Sequence, residues 1–194
     1  MNILVDTRPF QCRRILTEAQ NPDGKFIVEG LMQVAGDSNG NGRIYSREIL
    51  EREATKFKNT FIKQGNPFGE LDHPDSPIVS VKYVSHAITD LWWEGNNLMG
   101  RVEVLNTPTG NIVKEILKAG YVIGISSRGT GSVSELPDGR SIVNDDFDLV
   151  TWDFVSNPSV QGAFHKQVNL NEGLTKPVKK FSKLNEIMND ILRG

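Results

Sequence analysis

The sequence predicts an α+β fold, mostly antiparallel, in which a closed or nearly closed β-barrel is surrounded by helices. Three observations carry this reading: short runs rich in Val, Ile, Tyr and Trp bounded by Gly, Pro, Asn and Asp, one clear hairpin, and two inserted segments with helical spacing.

Residues 1–24 mix charges, Pro9 and Pro22 without a sustained period and end in Asn21-Pro22-Asp23-Gly24, which reads as a loosely attached arm. Lys25 to Ala35 is apolar enough for a buried strand. Its Val28, Leu31, Met32 and Ala35 also fit helical spacing, so period alone does not decide. After the polar, Gly-rich Asp37 to Arg43, Ser46 stands as a cap before Arg47 to Lys58, whose Ile49, Leu50, Ala54 and Phe57 fall on one helical face. Ile78 to Trp93, the turn Glu94-Gly95-Asn96-Asn97 and the alternating Leu98 to Leu105 form a hairpin. Pro108 to Ala119 reads as a helix stopped by Gly120. Strands are expected over Tyr121–Ser127, Gly131–Leu136, Ser141–Val143 and Phe147–Val155. The main body is thus residues 25–166. Residues 167–194 hold a polar linker with Lys176, Lys179 and Lys180, then an amphipathic helix through Phe181, Leu184, Ile187, Met188, Ile191 and Leu192, suited to packing on its own body or to docking and dimerisation.

Composition narrows the function classes. Of 194 residues, 22 are Lys or Arg and 24 Asp or Glu, a net charge of −2 that gives no general attraction for nucleic acid or anionic lipid. The single cysteine, Cys12, excludes an internal disulfide and a multi-thiolate zinc site, and fits a reducing compartment such as cytoplasm. No apolar run approaches the ~18 residues of a membrane span, and Arg8, Arg13 and Arg14 follow the short apolar start instead of preceding it, unlike a secretion signal.

A hydrolase without cofactor or metal needs a nucleophile, a base, and a group that orients the base. Ser126 and Ser127 lie in Gly124-Ile125-Ser126-Ser127-Arg128-Gly129, a strand end where flanking glycines would present a hydroxyl to substrate. Of three histidines, His73 stands before Pro74, which keeps it out of helix, while His86 falls within a strand and His165 near the tail. Asp153, between Trp152 and Phe154, is costly to bury unpaired and suits the orienting role; Asp146 and Asp148 compete for it from a wetter strand start.

Gly-Glu-Leu-Asp-His-Pro at 69–74, Leu-Trp-Trp-Glu-Gly-Asn at 91–96, Gly-Ile-Ser-Ser-Arg-Gly at 124–129 and Trp-Asp-Phe-Val-Ser-Asn-Pro-Ser at 152–159 together resemble the prohead core proteases of large tailed bacteriophages. The resemblance spans roughly residues 25 to 165 and implies a herpesvirus-protease-like fold and a serine endopeptidase that cleaves scaffold and major capsid proteins during prohead maturation. It implies Ser126 as nucleophile in preference to Ser127, His73 as base and Asp153 as third member, with His165 as fallback. It makes Arg128 and Gly129 candidates for an oxyanion or substrate-binding loop. It further implies action in the host cytoplasm inside the assembling prohead, no cofactor, no nucleic-acid or membrane partner, and a homodimer or higher oligomer left open. Such enzymes favour Glu before the scissile bond with an aliphatic residue two places earlier. Leu16-Thr17-Glu18, Leu170-Asn171-Glu172 and Leu184-Asn185-Glu186 meet that pattern and suggest self-processing, with residues 1–24 a candidate propeptide and 167–194 a candidate for removal.

The rival reading is a non-enzymatic head assembly or scaffold protein. Asp37, Asn39, Asn41 and Glu48, with Gly42 at the sixth position, match EF-hand calcium-loop spacing, although the segment before Asp37 reads as strand and a solvated strand-to-helix loop is favoured.

Overall fold

The computed structural model describes residues 2–74 and 76–156, so the C-terminal linker and helix, His165 and the two C-terminal triplets lie outside the described residues. In chain order the strands are β1 (Asn2–Pro9), β2 (Cys12–Leu16), β3 (Phe26–Val34), β4 (Arg43–Ile44), β5 (Phe68–Glu70), β6 (Val84–Glu94), β7 (Asn97–Val104), β8 (Gly124–Gly131), β9 (Val133–Glu135), β10 (Ser141–Val143) and β11 (Asp148–Val155). Two helices interrupt them, α1 (Arg47–Phe57) and α2 (Pro108–Lys118).

The helices form where caps and apolar spacing coincide. Ser46 Oγ accepts the Ile49 amide at the start of α1, and Ile49, Leu50, Ala54 and Phe57 are its buried face. Thr107 caps α2 through the Gly110 amide, and Gly120, at φ +80°, takes the left-handed conformation that ends it. Phe57 meets the fully buried Trp152 edge-to-face with ring centroids 5.4 Å apart, so α1 covers β11.

The fold is α+β and mostly antiparallel. One sheet has the order β1-β8-β11, a second β2-β3-β7-β6-β5, and a small third β4-β10-β9, in which β4–β10 is the parallel pair. The core draws on both large sheets, with Phe26, Val28, Ile88, Val102, Ile125 and Phe154 all buried. No continuous ladder closes these strands into the expected barrel among the described residues. The seam lies between β5 and β11, where a single parallel bridge joins Leu71 to Phe154. β5 is only three residues long, with a register shift at Gly69/Glu70 against β6, and a side chain takes over at the seam: the Glu70 amide donates to the Asp153 carboxylate at 2.9 Å.

Two other expectations are corrected. Residues 2–16 are no loose arm: β1 pairs with β8 over its whole length, from Asn2 opposite Gly131 to Pro9 opposite Gly124, and β2 pairs with β3. Phe10 joins the core edge-to-face against Phe154. Ile78 and Val81, read as strand, are 74% and 82% exposed and precede β6.

The Asp37–Arg43 loop follows β3, so the entering helix of an EF-hand is absent. Its polar groups serve the chain itself: Asp37 accepts the Ser38 amide, Asn39 Oδ1 accepts the Asn41 and Arg43 amides, and Asn41 Nδ2 donates to Val5 O and to Asp6. Glu48 lies in the first turn of α1.

Candidate active site

β8 is the central strand of its sheet, so directly opposed residues of β1 and β11 share a face with each β8 side chain. Ser126 is opposite Thr7 on one side and Asp153 on the other, and Arg128 follows on the same face. Ser127 is opposite Asp6 and the core residue Trp152, so it points to the other face. The alternation of the strand thereby separates two adjacent serines that composition could not distinguish. Ser126, expected to be presented, is fully buried, with the side chains of Thr7 and Asp153 beside it on that face.

His73 reaches this face from the seam. The Leu71 bridge and a 2.7 Å hydrogen bond from the Asp72 amide to Phe154 O hold the chain beside β11. Asp72 then adopts φ 65°, uncommon for a residue with a side chain, and turns the chain so that His73 Nδ1 lies 3.1 Å from Asp153 Oδ2. A carboxylate only accepts hydrogen bonds, so the ring proton is on Nδ1 and the neutral ring keeps a lone pair on Nε2. Nε2 is buried and has no hydrogen-bond partner among the described residues.

Four donors surround the Asp153 carboxylate. Oδ2 accepts from His73 Nδ1 and from Arg128 Nε at 2.8 Å; Oδ1 accepts from the Glu70 amide and from Arg128 Nη2 at 3.2 Å. Burial opposes its ionisation, but the hydrogen bonds from His73 and Arg128, the guanidinium charge and the Glu70 amide prevail and hold Asp153 below the ordinary carboxylate range. Glu70 behaves oppositely: burial pushes it up, against the Ser80 amide and Arg128, with Asp153 adding repulsion. Arg128 thus sits between the two carboxylates, paired with Glu70 on one side and with Asp153 on the other.

Arg128 and Gly129 lie inside β8 and not in a loop, which corrects their expected placement. The Arg128 guanidinium is fully buried and its nitrogens are committed to Asp153, Glu70 and the Ser76 carbonyl. A Cβ on Gly129 would come within 2.5 Å of the Phe147 ring, so packing accounts for that glycine. Asp146 accepts from Ser132 and Asp148 from Lys56, both exposed contacts remote from His73's partner. His86 is fully buried, accepting from Ser85 Oγ at Nδ1 and donating from Nε2 to Trp152 O, and burial lowers it to about 4. Sequence reasoning missed Thr7 and Glu70. Glu70 stood in the motif that singled out His73, whereas Thr7 lay in the stretch read as an arm.

The family model described as prohead core protein serine protease matches residues 4–175. The prohead core protein protease of Enterobacteria phage T4 is 33% identical over 166 residues, covering 80% of this chain and 78% of the relative. Among solved structures, the bacteriophage T4 capsid assembly protease, gp21, matches with a TM-score of 0.74 at 29% identity, over 81% of this chain and 98% of that one.

Proposed function

The chain belongs to the prohead core protein serine protease family, and on that premise we propose a serine endopeptidase that cleaves scaffold and capsid proteins inside the maturing phage head. Ser126 is the nucleophile, His73 the base and Asp153 the group that orients it.

The observation that carries this reading is the His73 Nδ1 to Asp153 hydrogen bond, which leaves Nε2 as an unoccupied acceptor, while Ser126 is the register partner of Asp153. Nε2 takes the Ser126 proton as Oγ attacks the peptide carbonyl and returns it to the leaving amine, a contribution of roughly 10²–10⁴ in rate. The described state has Ser126 buried and bonded to Thr7 and not to His73, so the cycle includes an opening step that admits the substrate and closes the Ser126–His73 gap. The preference for Glu before the cut and the self-processing of the termini belong to this proposal and rest on the family resemblance.

A fluorophosphonate probe, mapped by peptide sequencing, tests the assignment. Label on Ser126, lost in Ser126→Ala and kept in Ser127→Ala, is the expected result. Label that follows Ser127 would overturn it.

A further inference from the structure

We infer that Thr7 is a positioning residue for Ser126, so that the N-terminal strand forms part of the active site. This rests on Ser126 being the nucleophile.

Thr7 Oγ1 donates to Ser126 Oγ at 3.1 Å, both side chains are buried, and the two residues are register partners across β1–β8. A serine hydroxyl has one proton and two lone pairs. Thr7 fills one lone pair, which selects a rotamer of the Ser126 side chain and leaves its proton for His73 and its second lone pair for the carbonyl carbon.

Hydrogen bonds on the opposite face of β1 fix where Thr7 stands. Asp6, 5% exposed, accepts from the Tyr45 hydroxyl, from Arg43 Nη1 at 3.1 Å and from Asn41 Nδ2 at 3.1 Å. Asn41 and Arg43 also donate to Val5 O. The Asp37–Arg43 loop, whose spacing imitates a calcium site, is thus the clamp that sets the register of β1. A slip of one residue would turn Thr7 to the core and bring a neighbour opposite Ser126.

The test compares Thr7→Val, which keeps the branched shape and loses the hydroxyl, with Thr7→Ser, which keeps the hydroxyl, in the full chain. Fluorophosphonate labelling of Ser126 and hydrolysis of a peptide containing Leu170-Asn171-Glu172 are the readouts. Thr7→Val is expected to slow labelling and kcat about three- to tenfold at unchanged KM, the scale of one hydrogen bond, with Thr7→Ser restoring most of the rate. If Thr7→Val fails to fold, Thr7→Ala against Thr7→Ser gives the same contrast. Wild-type rates in the hydroxyl-free variant, a faster rate there, or a loss in Thr7→Ser as large as in Thr7→Val would each overturn the inference. Label on a residue other than Ser126 in the unmodified protein would instead remove the triad proposal on which it rests.

Discussion

Arg128 Nη2 lies 2.8 Å from Glu70 Oε2 with both side chains wholly withdrawn from solvent, while the same guanidinium grips Asp153 through two nitrogens. One cation therefore bridges two interior acids and ties β8 to β5, two strands that no backbone ladder joins. Removing it leaves two like charges buried together. Arg128→Ala is expected to lose about 3–5 kcal/mol of stability, read from urea unfolding. Arg128→Lys should recover part of the loss, because a point charge cannot make the two-nitrogen contact.

Asp153→Asn tests orientation separately from charge. An amide can offer a proton to Nδ1, which favours the ring tautomer with its proton on Nε2, where the reaction needs a lone pair. Turnover of the peptide substrate should fall by up to ~10⁴, with the circular dichroism spectrum retained. Activity within a few-fold of the parent would transfer the orienting role to another residue, His165 first.

His86 provides a pH signature independent of catalysis. Its buried ring titrates at about 4 in the folded chain, against ~6.5 when unfolded. Between these values the unfolded chain binds the extra proton and the folded one does not, so stability falls with acidification from about pH 6.5 to about 4, by about 3 kcal/mol. Urea unfolding at pH 7 and pH 4.5 measures the drop, which should shrink in His86→Gln. An equal drop in that variant would place its origin elsewhere.

Cutting after Glu18 should be governed by the local contacts that hold that residue. Glu18 bonds to the buried Lys114 at 3.0 Å, and Thr17 O accepts the Gln20 and Asn21 amides in a turn. A protease needs an extended strand, so cutting after Glu18 requires that turn to open. Mass spectrometry over a time course should find the product beginning at Ala19 forming faster in Lys114→Met, which releases Glu18, than in the parent chain. An equal rate in the two would contradict this.

Much of the architecture was legible because local signals agreed. Ser46 and the Ile49–Phe57 spacing marked α1, the Glu94–Asn97 turn marked the β6–β7 hairpin, and the aromatic flanks of Asp153 signalled a buried acid that had to be paired. β1 escaped notice because its buried positions include the adjacent Asp6 and Thr7, polar residues on opposite faces that conceal a strand's alternation when their partners are distant in sequence. Arg128 was read as available to substrate because sequence shows a charge without showing the acids that enclose it. Ile78 and Val81 erred in the other direction, since apolar character alone does not place a residue in a sheet.

The eight-residue zipper between the first strand and β8 has a bearing on what a cut chain would be. Breaking one peptide bond at position 18 would not release the leading piece, whose departure would bare Leu4 and Phe10 to water and strip an entire border from the sheet. A nicked molecule would elute from gel filtration as one particle and separate into two only in denaturant, carrying its Thr7 hydroxyl throughout.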